Sequence, residues 1–125
     1  MKTVTFSIRP LSDLMDDAAR TFEAVRSGRQ APKGAREEVG FTSIEAARNF
    51  LTRERLALLH AIKNRRPNSI YDLARMTGRD LKNVQEDVRL LERHGLVRIA
   101  RRPRGSRKVK VPSVPFEEIA LKIAI

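Results

Sequence analysis

Between residues 52 and 111 the apolar side chains keep a helical spacing three times over and then switch to strict alternation. That switch restricts the fold more than any other feature of this 125-residue chain. Leu56, Leu59 and Ile62 recur at three-residue steps and predict the buried stripe of a helix that restarts at Thr52, just after a short helix capped by Ser43 and carrying Ile44, Ala47, Phe50 and Leu51. Pro67 breaks the chain after Asn64-Arg65-Arg66. Ser69-Ile70-Tyr71-Asp72 has the Ser-x-x-Asp form of a helix start, and Ile70, Leu73 and Ala74 are expected to point inward on a short helix that runs through Met76. Thr77-Gly78-Arg79 reads as a turn. Asp80 then caps a longer helix to about His94, with Leu81, Val84, Val88 and Leu91 as its core face and Gly95 as its left-handed stop.

After Gly95 the period becomes two. Residues 96–100 read as a strand with Val97 and Ile99 on one face. Arg102-Pro103-Arg104-Gly105 suits a turn with Pro second and Gly fourth. Residues 107–111 return, with Val109 and Val111 inward and Lys108 and Lys110 outward. Three helices followed by a basic hairpin is the order of a winged helix-turn-helix.

The flanks add an extension. Val4, Phe6 and Ile8 alternate with Thr3, Thr5 and Ser7, which predicts a strand ended by Pro10. Ser12 is expected to cap a helix over residues 13–26, with Asp13, Asp16 and Asp17 complementing its dipole and Leu14, Ala18, Phe22 and Val25 forming its apolar stripe. Gly28 stops it, residues 27–37 read as a loop, and residues 38–41 read as a short strand beside the first. At the C-terminus Ile119, Leu121, Ile123 and Ile125 alternate, while Phe116, Ile119, Ala120 and Ile123 also fit a helical face; the reading favours a brief turn and then a strand. An apolar strand there needs a partner, either the first strand or a second subunit. The expected fold is therefore α+β: a strand-helix-strand dimerisation or partner extension over 1–42, a winged helix-turn-helix over 43–112, and a C-terminal strand over 113–125.

Charge sharpens the functional reading. The chain carries 26 Lys and Arg against 15 Asp and Glu, a net +11, and the excess grows along it: net +1 over residues 1–51, +4 over 52–95 and +6 over 96–125. Cations gathered on the segment that resembles a reader are the electrostatic footprint of nucleic-acid binding, because each neutralised phosphate releases a counterion. The absence of Cys excludes disulfides, thiolate zinc sites and cysteine nucleophiles. The first residues lack a signal-peptide run and no apolar stretch approaches a membrane span, so a cytoplasmic protein without a membrane is expected. His60 and His94 read as helix-surface residues, and Asp16-Asp17 and Glu37-Glu38 are adjacent in sequence and so do not share a face. No catalytic constellation, cofactor motif or metal-ligand spacing is visible, and an enzyme is the least favoured class.

With 81, 84, 88 and 91 inward, the second long helix turns Lys82, Asn83, Gln85, Glu86 and Arg89 outward, toward a major groove. Asn and Gln pair bidentately with adenine, Lys and Arg read guanine or hold phosphate, and Glu accepts from cytosine. The plainer reading is a solvated face with Lys82–Glu86 and Glu86–Arg89 pairs. The hairpin is more specific. Arg101, Arg102, Arg104, Arg107, Lys108 and Lys110 crowd ten residues without an acid, a run that repels itself unless a polyanion neutralises it. Arg at a turn tip also suits a narrow minor groove. Ser69 and Tyr71, at a helix start, are candidate phosphate contacts, with a simple helix cap as the alternative.

Several segments resemble one group of proteins: Val39-Gly40-Phe41-Thr42-Ser43-Ile44-Glu45-Ala46, Leu51-Thr52-Arg53-Glu54-Arg55-Leu56-Ala57-Leu58-Leu59, Asp72-Leu73-Ala74, Gly78-Arg79-Asp80, Lys82-Asn83-Val84, Asp87-Val88 and Gly95-Leu96-Val97. They are similar to prokaryotic winged helix-turn-helix regulators that are loosely MarR-like, a group that includes TumA-type antitoxins encoded beside a small toxin gene. The resemblance is strongest over 39–97. It implies a DNA-binding antitoxin or autorepressor. The expected function is a regulator that binds double-stranded DNA at a palindromic operator as a homodimer, with an antitoxin whose N-terminal region neutralises a cognate toxin as the alternative. An RNA-binding protein is a further alternative, but the chain lacks the exposed aromatics that stack on unpaired bases.

Overall fold

The computed structural model describes residues 2–26 and 38–125. In chain order the elements are β1 (Thr3–Ile8), α1 (Leu11–Arg26), β2 (Glu38–Phe41), α2 (Ile44–Phe50), α3 (Arg53–Arg65), α4 (Ile70–Thr77), α5 (Leu81–Arg93), β3 (Arg98–Arg104), β4 (Arg107–Ser113) and β5 (Glu118–Ile123). Among the described residues this is an α+β architecture of five helices and two sheets. It divides into two units, one of residues 1–50 with 118–125 and one of residues 51–117.

The first unit is built on a parallel sheet in the order β2-β1-β5. The alternation of β1 puts Val4, Phe6 and Ile8 on one buried face. Phe6 meets Phe41 of β2 and Phe50 of α2 with ring centroids 5.1 and 5.9 Å apart, and Phe41 and Phe50 lie 5.6 Å apart, a three-ring cluster in tilted and edge-on geometry. The opposite face is polar: Ser7, 1% exposed, donates its hydroxyl to Glu38, and Thr3 donates to Glu118 at 2.7 Å. Ser43 caps α2, accepting the Ala46 N–H at 3.0 Å, as its sequence position predicts.

Two expectations here are corrected. The helix α1 starts at Leu11, so Ser12 lies inside its first turn and is not the cap; the Asp13 N–H closes on the Pro10 carbonyl at 3.0 Å, and Pro10 with its fixed φ takes the place before the helix. The apolar stripe of α1 is not a buried one where its side chains are described: Phe22 is 68% exposed, Ala18 is exposed, and Leu11 and Met15 join them at the surface. The side chains of Leu14 and Val25, and the loop expected over 27–37 with Gly28 as its stop, lie outside the described residues. The chain also groups differently from the expected division at residue 43: Ala47 and Phe50 are buried and tie α2 to the β1 sheet, and the C-terminal strand joins the same sheet beside β1.

The second unit is three helices and an antiparallel hairpin. Thr52 caps α3 by accepting the Arg55 N–H at 3.2 Å. The buried stripe of α3 is Leu58, Leu59 and Ile62. Leu56, in the first turn of α3, is 37% exposed. Leu81 is likewise at the surface, and Val84, Val88 and Leu91 form the inner face of α5, with Leu73, Leu96 and Val97 also buried. Asp80 caps α5 through the Asn83 N–H. At its far end Gly95, φ 78°, closes a pair of reversed bonds in which the Gly95 N–H donates to Glu92 and the Leu96 N–H to Leu91. That turn drops Leu96 and Val97 into the core before the hairpin begins.

The hairpin is longer than its sequence suggests. β3 runs from Arg98 to Arg104 and β4 from Arg107 to Ser113, with Arg104 facing Arg107 across a two-residue loop of Gly105 and Ser106. The turn is therefore not the expected Arg102–Gly105 tetrad. Pro103 sits inside β3 opposite Lys108, which a two-stranded ribbon permits because each strand has a free edge for the missing N–H. Gly105, φ 63°, supplies the positive φ that a two-residue hairpin loop demands. Leu96 and Val97, expected in the strand, precede it.

Candidate nucleic-acid interface

An ionic clamp fixes α5. The Asp87 carboxylate accepts from Arg55 Nε of α3 at 3.1 Å and from Arg79 Nη2 of the α4–α5 turn at 2.8 Å. All three side chains are at most a quarter exposed. One carboxylate therefore ties together the first helix, the turn and the third helix, and α5 is held from its inner side while its outer side stays open.

The start of α4 has a second carboxylate hub. Ser69 accepts the Asp72 N–H at 2.9 Å, and Asp72 accepts the Asn68 N–H at 3.0 Å and Arg75 Nη2 at 2.7 Å. The bond from Arg75 is the main reason the Asp72 carboxyl is held below the usual carboxylate range, helped by the Asn68 N–H and, through space, by the positive charge of Arg104 on β3. Asp72 in return raises the Arg75 guanidinium above its ordinary value. A lowered folded-state value means that the unfolded chain binds the proton more readily. The stabilisation is therefore complete above the ordinary carboxyl range and is lost as pH falls through the lowered value. Asp72→Asn is accordingly expected to lower the melting temperature more near pH 7 than near pH 3, read by circular dichroism. An equal loss at both pH values would show that shape, not charge, is what Asp72 supplies.

The sequence-predicted residues sort clearly. Lys82, Asn83, Gln85, Glu86 and Arg89 are all exposed on the outer side of α5. Arg101, Arg102, Arg104, Arg107, Lys108 and Lys110 are all exposed on the hairpin. Gln85, Arg89 and Glu92 share a cleft of about 80 Å³ with Lys110 of β4, floored by Ile70, Val88 and Ile99. Helix and hairpin thus form one surface, on which three outward residues of α5, the acidic Glu92 among them, meet one hairpin cation. Lys82, Asn83 and Glu86 lie outside that cleft. Ser69 is buried and its hydroxyl is engaged in the cap, which is the plainer of its two readings, while Tyr71 is 68% exposed.

The ladder register distributes the hairpin cations over both faces. Residues paired across antiparallel strands share a face, so Arg101 sits with Lys110 and Pro103 with Lys108 on one side, and Arg104 with Arg107 on the other. Arg102 lies on the Arg104 side and lines a second cleft, of about 470 Å³, with Lys63 and Arg66. Those two cations were missed in the sequence. Their signal was the basic run 63–66 ending α3 before Pro67, which reads as an ordinary helix C-terminus complementing its dipole. Lys63 is also tied to the Val114 carbonyl at 3.3 Å and to Glu117 at 3.7 Å. Arg66 adopts the left-handed region at φ 48°, the αL cap where a glycine is more usual.

Fold and surface together define a small α+β protein with a cation-rich helix-and-hairpin face. The model of the HVO_A0114 family matches residues 50–121, more than half of the chain, and the protein belongs to that family. The matched span contains the whole of the second unit. No curated protein matches the chain. Among the described residues no helix is long and apolar enough to cross a membrane.

Proposed function

We propose that this protein is a sequence-specific DNA-binding transcriptional regulator, an autorepressor that binds a palindromic operator as a homodimer in the cytoplasm. The order α3-α4-α5 followed by a two-stranded hairpin is that of a winged helix-turn-helix, in which the third helix enters the major groove and the hairpin lies along the backbone. The observation that carries the reading is the shared cleft of Gln85, Arg89 and Lys110, since a base-reading helix and a phosphate-gripping wing must present one continuous surface to the duplex. The resemblance to MarR-like regulators points the same way. Lys82, Asn83, Gln85, Glu86 and Arg89 are assigned to base edges, and the cations at 101–110 to phosphates or the minor groove.

The test is fluorescence anisotropy with duplex from just upstream of the gene, against a scrambled duplex and the matching RNA, at low and near-physiological salt. Preference for the native duplex on the order of 10³-fold, persisting at higher salt, is the expected result. Equal and salt-fragile binding to all three would overturn it and leave only a generic polyanion grip.

A second reading has its own observation. The exposed Leu11, Met15 and Phe22 of α1 favour a protein partner for the first unit, as in an antitoxin that covers a small toxin. Co-purification of the product of an adjacent small gene would establish it.

A further inference from the structure

Among the described residues the outer edge of β5 is open, and its sequence is matched to itself. β5 lies at the margin of the β2-β1-β5 sheet, where β1 is the one described strand beside it. The Ala124 N–H donates to the Ile8 carbonyl at 3.3 Å, so the even-numbered residues of this segment aim their backbone groups at β1. By alternation Ile119, Leu121 and Ile123 aim theirs at the free edge. Register with β1 puts the side chains of Ile119, Leu121 and Ile123 on the same face as Val4, Phe6 and Ile8, yet Leu121 is 57% and Ile123 48% exposed. An apolar edge strand of this kind invites another strand.

The charges say which strand. Glu118-Ile119-Ala120-Leu121-Lys122 is a charge palindrome about Ala120. When two copies run antiparallel with Ala120 facing Ala120, each Glu118 stands opposite a Lys122 and each Ile119 opposite a Leu121. Ile119 and Leu121 then exchange both backbone hydrogen bonds, since both present them to the edge, and Ala120 forms the close non-hydrogen-bonded pair at the two-fold axis. A lone Lys on an edge discourages pairing with strands at large; here the matching Glu removes that penalty for a copy of the same strand alone. We propose that β5 pairs with β5 of a second copy in this register, joining two three-stranded sheets into one. The proposal rests on the dimeric part of the function proposed above and gives that dimer its interface.

Charge reversal and cross-linking test it on the full-length protein. By sedimentation equilibrium the parent is expected to be a dimer. Lys122→Glu, which sets Glu against Glu twice, is expected to weaken it on the order of tenfold. Glu118→Lys with Lys122→Glu restores the pairing and the dimer. The chain has no Cys, so Ala120→Cys offers one thiol per copy at a Cα separation of about 4.5 Å, within disulfide reach. It is expected to oxidise to a covalent dimer. Lys122→Cys places its thiols roughly 13 Å apart along the ladder and is expected to remain uncrosslinked. Circular dichroism matching the parent checks that each variant folds, and Ala120→Cys, a small-for-small change, keeps the test decisive if a charge variant does not. A monomeric parent, a double reversal that fails to restore the dimer, or equal cross-linking at 120 and 122 would each overturn the interface. A monomer that still prefers its upstream duplex removes the interface and leaves the DNA reading; a dimer with no duplex preference does the reverse.

Discussion

Asp87→Ala is expected to lower stability by about 2–3 kcal/mol and the melting temperature by roughly 6–15 °C. The carboxylate is 15% exposed and its partners Arg55 and Arg79 are 22% and 25% exposed. Its removal takes from two guanidiniums, each about three-quarters buried, the carboxylate they share. Losing one member of a fully buried pair costs about 3–5 kcal/mol, and the residual exposure of these arginines reduces that figure. Asp87→Asn, which keeps the shape and one acceptor, is expected to fall between the two. Urea denaturation followed by circular dichroism measures both. A loss under about 0.5 kcal/mol for the alanine variant would place the cluster with ordinary surface ion pairs. The clamp also has a functional reading. Because Asp87 holds α5 from behind, the alanine variant is expected, if the proposed DNA binding holds, to bind duplex more weakly even at temperatures where it is fully folded.

This clamp was invisible to periodicity, and the reason is general. Asp87 and Arg55 are 32 residues apart, and a helix wheel gives a residue's face but not its partner on another helix. What could be read locally was read well. The caps by Ser43, Ser69 and Asp80, the turn at Gly78 and the stop at Gly95 depend on contacts within a few residues and are named by the sequence itself, whereas Thr52 reads only as a helix start and the cap expected at Ser12 is not one. Stripes were read less well at their ends. Leu56 and Leu81 have helical spacing but lie in the first turns of α3 and α5, where the neighbouring helices do not cover them. The hairpin misled because Pro103 is a strong turn signal on its own, whereas Gly105 with Ser106 closes the ladder two residues later. The surface itself was legible as a charge run, since like charges crowd only where solvent or a polyanion accepts them. Its organisation was not: only the ladder register shows that Arg102 belongs with Lys63 and Arg66 while Lys110 belongs with Gln85 and Arg89.

On the proposed DNA-binding reading, that organisation sets apart two kinds of contact, and mutating them is expected to give different results. Arg101→Ala, Arg104→Ala and Arg107→Ala combined remove three exposed cations from the hairpin. The combined variant is expected to bind native and scrambled duplex alike on the order of 10²–10³ weaker at moderate salt. Each lost phosphate contact removes about one counterion release, so the slope of log affinity against log salt flattens by about 2.7. Arg89→Ala is expected to do something else. Arg89 lines the helix–hairpin cleft beside Gln85, where a guanidinium can reach a base edge, so its loss relaxes the preference for the native duplex by about 1–3 kcal/mol and changes the salt slope by at most about 1. The comparison needs both variants, because a fall in affinity alone is produced equally by a lost phosphate contact, a lost base contact or a loosened fold. If the hairpin variant loses sequence preference while Arg89→Ala loses only salt-dependent affinity, the reading roles of helix and wing are exchanged. If neither variant changes the binding of any duplex, the cations of this face serve something other than DNA.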